Sequence, residues 1–311
     1  SDSASDTPPI ESNPFFPFLF SMNELQLHTL LEEASRFREE GKLLHAVQLL
    51  MKVINVHPSC DRAYVQLAQV YTEMNRPDFA EKILLKGAAS NSENLEYSIL
   101  LGNLHLQQNH FDKALQYFGS LKHLNIPQIH QSIGLIYSYQ KNLAAAEHEL
   151  RLAAAGDPDL PKIHELLGEV LLRRGNIEEA TRVVERALRR DPYSGYAHKL
   201  MGEIYGAQNL LEKAYDELGA AIDCDPDDSD LWLRCGEVLL QLHRVAESMV
   251  YLERACTLNP KSTNAWVSLG VACLKTGERS RANKMFAAAL ALEPDNAIAT
   301  QLSEELVEER M

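Results

Sequence analysis

The chain has 311 residues, of which 45% are apolar and 24% are charged, an ordinary composition for a folded chain. Thirty Lys and Arg against 44 Asp and Glu give a formal net charge of −14. This balance argues against nucleic acids and anionic membranes as main partners, because both select for clustered basic residues. The five cysteines form no Cys-x-x-Cys pair, which predicts a reducing, cytoplasmic setting, with a nuclear or exported location left open.

The N-terminal segment, residues 1–26, begins with a stretch rich in Ser, Asp and Pro that is predicted to be partly disordered. Four phenylalanines then fall within six residues, at Phe15, Phe16, Phe18 and Phe20. This block is far shorter than the ~20 apolar residues of a membrane helix, so no transmembrane segment is predicted. The favoured interpretation is that it folds back over the apolar edge of the first repeat or over the groove of its own chain. The alternatives are a partner-binding or self-association motif, and an unpaired leftover or a shallow membrane contact.

A small residue recurs along the rest of the chain with a period close to 34 residues. The period is 34 at four successive glycines in similar phrases, such as LLGEVLL and RCGEVLL, and it is 32 at one step upstream. The complete series is Ala34, Ala68, Gly102, Gly134, Gly168, Gly202, Gly236 and Gly270.

A second small residue follows the first by twelve positions in every repeat. The series is Ala46, Ala80, Ala114, Ala146, Ala180, Ala214, Ser248 and Ala282, and a proline lies near the end of six repeats. Eight predicted repeats therefore tile the chain, at 27–60, 61–94, 95–126, 127–160, 161–194, 195–228, 229–262 and 263–296.

Each repeat is predicted to be two helices, because apolar residues recur at spacings of three and four. The break between them often contains Gly or Asn, which tolerate the left-handed conformation that ends a helix. These residues are Gly41, Asn75, Asn109, Gly175, Asn209 and Gly277. Small side chains on both helices let the two backbones approach closely, and stacked neighbours complete a core that one repeat cannot bury alone.

These repeats resemble the tetratricopeptide repeat, a 34-residue helix–turn–helix family. The likeness includes Trp232 and Trp266, each four residues before its small residue, and a tyrosine three residues after it in three repeats: Tyr71, Tyr137 and Tyr205. The resemblance implies an all-α, right-handed superhelical solenoid. It also implies that the first helices line a concave groove that binds peptides or protein partners.

The C-terminal segment, residues 297–311, is predicted to be a helix that caps the last repeat. Ala299, Leu302, Leu306 and Val307 form its apolar stripe. A solenoid needs such an element to cover its last exposed face. The alternative interpretation is a linker helix into a further C-terminal domain.

No constellation for catalysis or cofactor binding is found, so the chain is predicted not to be an enzyme and to need no cofactor or metal. His130, His164 and His198 share one position in successive repeats, the position of the two tryptophans. Successive first helices are ~9–10 Å apart, whereas ligands must lie ~2 Å from a shared metal ion. The histidines are therefore interpreted as packing residues. The cysteines Cys235, Cys256 and Cys273 are expected in the core.

The predicted binding surface consists of first-helix residues that the family geometry directs into the groove. Glu169, Glu203 and Glu237 follow the small residue of three consecutive repeats and predict an acidic stripe. The other groove residues are Gln69, Asn103, Gln131, Leu135, Glu165 and Lys199. A basic or amide-rich peptide or protein segment is the expected partner, because complementary charge gives specificity. The competing interpretation is that the glutamates are solvated or paired with arginines such as Arg173.

These observations predict a non-enzymatic interaction scaffold or adaptor. Two alternatives stay open at this point. The chain could be a regulatory or substrate-docking module of a larger enzyme or complex. It could also be a structural protein that self-assembles through residues 15–20.

Overall fold

The structure is a computed structural model and describes residues 24–308. Within that range the chain forms α-helices and a single 3₁₀ turn, Lys122–Leu124, so the predicted all-α repeat fold is confirmed. The helices are α1 Glu24–Glu39, α2 Leu43–Val56, α3 Asp61–Glu73, α4 Pro77–Ser90, α5 Leu95–Gln107, α6 Phe111–Leu121, α7 Pro127–Tyr139, α8 Leu143–Gly156, α9 Ile163–Arg173, α10 Ile177–Arg190, α11 Gly195–Ala207, α12 Leu211–Cys224, α13 Ser229–Gln241, α14 Val245–Leu258, α15 Thr263–Lys275, α16 Arg279–Leu292 and α17 Ala297–Glu308.

The first sixteen helices form eight hairpins, in which an odd-numbered first helix packs against the even-numbered second helix that follows it. Every hairpin turn contains one residue with positive φ. Six of these are the Gly and Asn residues that the sequence predicts, with φ between 56° and 81°. The other two are Lys141 and His243, both at φ 61°. The turn with His243 contains no Gly or Asn, and in the turn with Lys141 the next residue, Asn142, has φ −84° and caps α8 instead.

The small residue of the first helix makes room for one large side chain of the second helix, sixteen positions later. A Cβ built on Gly134 would lie 2.7 Å from Leu150 Cγ, and one built on Gly270 would lie 2.5 Å from Phe286 Cε1. The same relation joins Gly102 to Phe118, Gly168 to Val184, Gly202 to Leu218 and Gly236 to Leu252.

The second small residue of each repeat, which lies on the second helix, is also fully buried. Ala46, Ala80, Ala114, Ala146, Ala180, Ala214, Ser248 and Ala282 are all 0% exposed. Ser248, the only non-alanine in the series, donates a hydrogen bond from Oγ to the Gly236 carbonyl at 2.8 Å. Small residues on both helices therefore allow the close approach. The small residue of the first helix also leaves space for a large side chain of the second helix.

The described residues divide into two compact units, 24–125 and 126–308. In the first unit, the main cluster of buried residues runs from Leu31 to Leu104, and the buried α6 residues Ala114, Phe118 and Leu121 lie outside it. Most buried residues of the second unit form three clusters, centred on α8–α11, α12–α13 and α14–α17. The division falls directly after the 3₁₀ turn, at Asn125, which has φ 51°.

The last helix packs on α16. Ala299 and Leu306 are buried in the cluster that contains Phe286, and Leu302 packs against it. The four phenylalanines Phe15, Phe16, Phe18 and Phe20 lie outside the described residues.

Candidate interaction surface on the first helices

In the first unit, Gln69 and Asn103 line one depression between α3 and α5, with Thr72 and Leu100 beside them. Gln69 is exposed, and its Oε1 accepts a hydrogen bond from Arg38 Nη1 at 2.5 Å. Here the structure brings together two residues that the sequence assigned to the groove.

In the second unit, a larger depression of about 590 Å³ lies on α7, α9 and α11. Gln131, Leu135 and Glu169 line it, so three further predicted groove residues meet there. The other lining residues were not predicted as groove residues: Ser132, Ser138, Tyr139, Pro161, Lys162, Leu166, Arg173 and Tyr196. We refer to this site as the α7–α9–α11 depression.

Glu169 is held at the floor of this depression by two donors. The Tyr196 hydroxyl donates to Glu169 Oε2 at 2.6 Å, and Arg173 Nη1 lies 3.4 Å from Oε1. Arg173 Nη1 also donates to Ser138 Oγ at 3.0 Å. Burial and the hydrogen bond to Glu169 raise the pKa of the Tyr196 phenol, which therefore stays protonated and keeps donating.

Towards α13, the predicted groove residues belong to an ion-pair network. Lys199 Nζ lies 2.6 Å from Asp230 Oδ2, and Arg234 Nε lies 3.0 Å from the same oxygen. Arg234 Nε is also 3.3 Å from Glu203 Oε1. Burial opposes ionisation of Asp230, yet the hydrogen bonds from Lys199 and Arg234 keep the pKa of Asp230 below its ordinary value.

Glu169 and Glu203 of the predicted acidic stripe are therefore paired with arginines, Arg173 and Arg234, in line with the competing interpretation of the sequence. Burial raises the pKa of Glu203 despite the nearby Arg234. Burial likewise raises the pKa of Glu237, whose Oε1 accepts a hydrogen bond from Ser268 at 3.1 Å. Most of these contacts join residues 27 to 35 positions apart, which is about one repeat. This spacing is the feature of the sequence from which the pairs could have been predicted.

Two of the three histidines of the shared position make hydrogen bonds with a glutamate of the following second helix. His130 Nδ1 lies 2.7 Å from Glu149 Oε2, and His198 Nδ1 lies 2.7 Å from Glu217 Oε2. Trp232 Nε1, in the same position, donates to the Pro226 carbonyl at 2.9 Å. No group of three or more His, Cys, Asp and Glu within residues 24–308 could hold a metal ion.

Three of the cysteines are core residues, as the sequence predicts. Cys235, Cys256 and Cys273 are buried, and burial raises the pKa of the Cys235 thiol to about 12. A thiol with so high a pKa is a poor nucleophile at neutral pH. In the described part of the chain, none of the helices has the length and apolar character needed to cross a membrane.

The chain is similar to known helical-repeat proteins in sequence and in fold. Residues 139–204 match the sequence model of the tetratricopeptide repeat. The fold is similar to a chain of the APC/C hetero-tetramer Cut9–Hcn1, with a TM-score of 0.68 and 16% identity over 93% of this chain. This chain spans 57% of the length of that one. No curated protein sequence matches.

Two other solved structures are similar over a shorter part of the chain. TTC0263, a thermophilic TPR protein of Thermus thermophilus, is 20% identical over 58% of this chain and 99% of its own, with a TM-score of 0.49. YrrB, described as a TPR protein with an unusual peptide-binding site, is 18% identical over 62% of this chain and 97% of its own, also with a TM-score of 0.49.

The protein is thus an all-α helical-repeat protein. The resemblance to the tetratricopeptide repeat family is confirmed by sequence for residues 139–204. For 93% of the chain the fold is similar to that of the Cut9–Hcn1 chain.

Proposed function

We propose that this chain is a non-enzymatic interaction scaffold that holds a segment of a partner protein against its first-helix surface. Stacked helical repeats present extended surfaces of this kind, and their preformed backbone lowers the ordering cost of binding. The observation that carries the proposal is the α7–α9–α11 depression, where apolar and hydrogen-bonding side chains of three successive repeats meet.

The sequence predicts a basic or amide-rich partner, and the place on this surface where such a partner would bind is the part formed by α11 and α13. Glu203 is already paired with Arg234, whereas Glu237 makes a hydrogen bond with the uncharged Ser268. A cationic or amide group brought close to Glu237 would favour its carboxylate form, which burial disfavours.

Site-specific photocrosslinking tests the scaffold proposal. Tyr139, which lies in the depression, is replaced by benzoylphenylalanine, and a matched control carries the same group at Leu152, exposed on the second helix α8. Both proteins are irradiated in an extract of the source cells, after circular dichroism has shown equal helicity. We expect a discrete protein adduct from position 139 that position 152 does not give. Adducts from position 152 alone would move the binding surface to the second helices, and no adduct from either position would contradict the proposal.

A further inference from the structure

We propose that the α7–α9–α11 depression selects an acidic partner segment that carries a large apolar side chain. This inference rests on the proposed function and deepens it by naming the chemistry of the partner at this site. The apolar side chain would lie against Tyr139 and Tyr196, and a carboxylate would lie against Lys162 and Arg173.

The apolar part of the site is formed by two tyrosines and two leucines. Tyr139 is 58% exposed and Tyr196 is 41% exposed, although both are large aromatic residues. Leu135 and Leu166 are half-buried and line the same depression. Exposed aromatic side chains beside partly buried leucines provide contact area at a low cost in side-chain entropy, as in the central residues of protein interfaces.

The carboxylate of Glu169 is already engaged, so it is a poor site for a partner's cation. One of its oxygens accepts from the Tyr196 hydroxyl at 2.6 Å, and the other faces Arg173 Nη1 at 3.4 Å. A partner's lysine would compete with these donors and would approach the two cations of the depression at the same time. The sequence-level expectation of a basic partner therefore does not extend to this site.

Both cations of the depression can still donate to a partner. Arg173 makes its hydrogen bonds to Ser138 and Glu169 through Nη1, which leaves Nε and Nη2 available among the described residues. Lys162 is exposed and makes no ion pair with any residue in the described range. The lining of the depression contains two cations and one engaged carboxylate, Glu169. Glu203 also lies close enough to act on Tyr196, but it is itself paired with Arg234, so the lining keeps an excess of positive charge in a chain of net charge −14.

The position of Lys162 is fixed by the backbone. Its φ is 60°, and the preceding residue, Pro161, accepts a hydrogen bond from Gln131 Nε2 at 2.7 Å through its carbonyl. This bond ties the loop before α9 to α7, the helix that carries Leu135 and Tyr139. The backbone that carries Lys162 and the helix that carries the apolar residues are thus joined before any partner binds, which favours affinity, while the Lys162 side chain stays in solvent.

The probes for the test are fluorescein-labelled peptides on a Gly/Ser backbone. Each peptide carries one central tryptophan and a pair of glutamates. The position of this pair differs from one peptide to the next, so that the series covers a range of distances on both sides of the tryptophan. Matched series replace the glutamates with lysine or glutamine, or the tryptophan with alanine. Fluorescence anisotropy is measured with the full chain and with Lys162→Gln, Arg173→Gln and Tyr139→Ser. The matched control is Arg182→Gln, an exposed arginine on the second helix α10.

We expect saturable binding of tryptophan–glutamate peptides that weakens at higher salt. Lys162→Gln should weaken it about fivefold, in line with one exposed ion pair, and Arg182→Gln should leave it unchanged. Arg173→Gln and Tyr139→Ser should each weaken it about tenfold or more. Equal or tighter binding of the lysine or glutamine series, with loss in Tyr139→Ser, would overturn the acidic preference and leave the scaffold proposal intact. No binding of any series would overturn this inference, while the crosslinking result would still decide the scaffold proposal.

Discussion

At the scale of single residues, the glycines of the first helices show which part of the repeat tolerates least change. A Cβ at Gly168 would overlap Val184 Cγ2, and Val184 is 0% exposed and branched at Cβ. A Cβ at Gly134 would instead meet the longer side chain of Leu150. The same spacing pairs Ala34 with Leu50 and Ala68 with Leu84 in the first two repeats, so an alanine–leucine pair fits this fold.

We therefore expect Gly168→Ala to lower the free energy of unfolding by about 1–3 kcal/mol, since overlap with a rigid side chain outweighs the gain in helix propensity. Gly134→Ala should cost less than Gly168→Ala, because Leu150 can move. Urea denaturation followed by circular dichroism measures both. If Gly168→Ala proved as stable as the wild type, Val184 would not be the fixed neighbour described here.

Glu237 and Asp230 are neighbouring carboxylates with opposite pKa shifts. Burial raises the pKa of Glu237 above its ordinary 4.5. For Asp230, the hydrogen bonds from Lys199 and Arg234 outweigh burial and lower the pKa below its ordinary 3.8. A raised folded-state pKa means that the stability contributed by Glu237 is complete below pH 4.5 and is lost as the pH rises through the folded-state value. For Asp230 the contribution is present above pH 3.8 and is lost as the pH falls.

Glu237→Gln should accordingly raise stability at pH 7, with a gain that shrinks as the pH approaches 4.5. The amide oxygen can still accept the Ser268 hydrogen bond. Asp230→Asn is the matched comparison with the opposite expected effect, and it should lower stability at pH 7. Both are measured as urea midpoints between about pH 4 and 8. A Glu237→Gln protein that loses stability at pH 7 would show that Glu237 is stabilised as an anion instead.

The residue scale also shows what the sequence could predict. The periodic Gly and Ala residues can be predicted from the sequence because the same steric constraint repeats in every hairpin. The ion-pair partners of Glu203 and Lys199 cannot be predicted in this way. These partners, Arg234 and Asp230, lie on the next first helix, about 31 positions away, and are not periodic. Tyr139 and Tyr196 were missed for the same reason. Tyr139 is the last residue of α7 and Tyr196 is the second residue of α11, and only the fold brings them to one depression.

At the scale of elements, each hairpin turn needs one residue in the left-handed region, and two of the eight turns use a costly one. His243, at φ 61°, follows α13, and the next residue closes the helix end with a hydrogen bond from Arg244 N to the Leu239 carbonyl at 2.9 Å. This is the helix-ending arrangement that favours glycine. The turn forms despite its sequence because packing of α13 on α14 stabilises it.

His243→Gly should therefore raise the free energy of unfolding by up to about 1 kcal/mol, the balance between relief of left-handed strain and the greater flexibility of glycine in the unfolded chain. Gly175→Ala is the reverse experiment. Gly175 has φ 79°, and a Cβ there would meet nothing within 4 Å, so any loss comes from backbone conformation alone. Thermal denaturation of the two variants should give shifts of opposite sign. Shifts in the same direction would contradict this account.

At the scale of the whole molecule, the irregular third repeat coincides with the division of the chain. The sequence shows it as a step of 32 residues where the others are 34, but the reason appears only in the structure. The 11-residue helix α6 is shorter than the other second helices, and the 3₁₀ turn and Asn125 follow it. Each buried cluster lies within residues 24–125 or within residues 126–308.

Because helical repeats are stabilised by their own packing and by their nearest neighbours, a unit that contains whole buried clusters of several repeats should fold by itself. We expect a protein made of residues 126–311 to show the helical circular dichroism of α7–α17 and a cooperative thermal transition. Gly236→Val, which would force a branched side chain against Leu252, should lower that transition in the fragment as it does in the full chain. A fragment without cooperative unfolding would mean that the α7–α9–α11 depression depends on residues before Ile126, and binding experiments would then require the full chain.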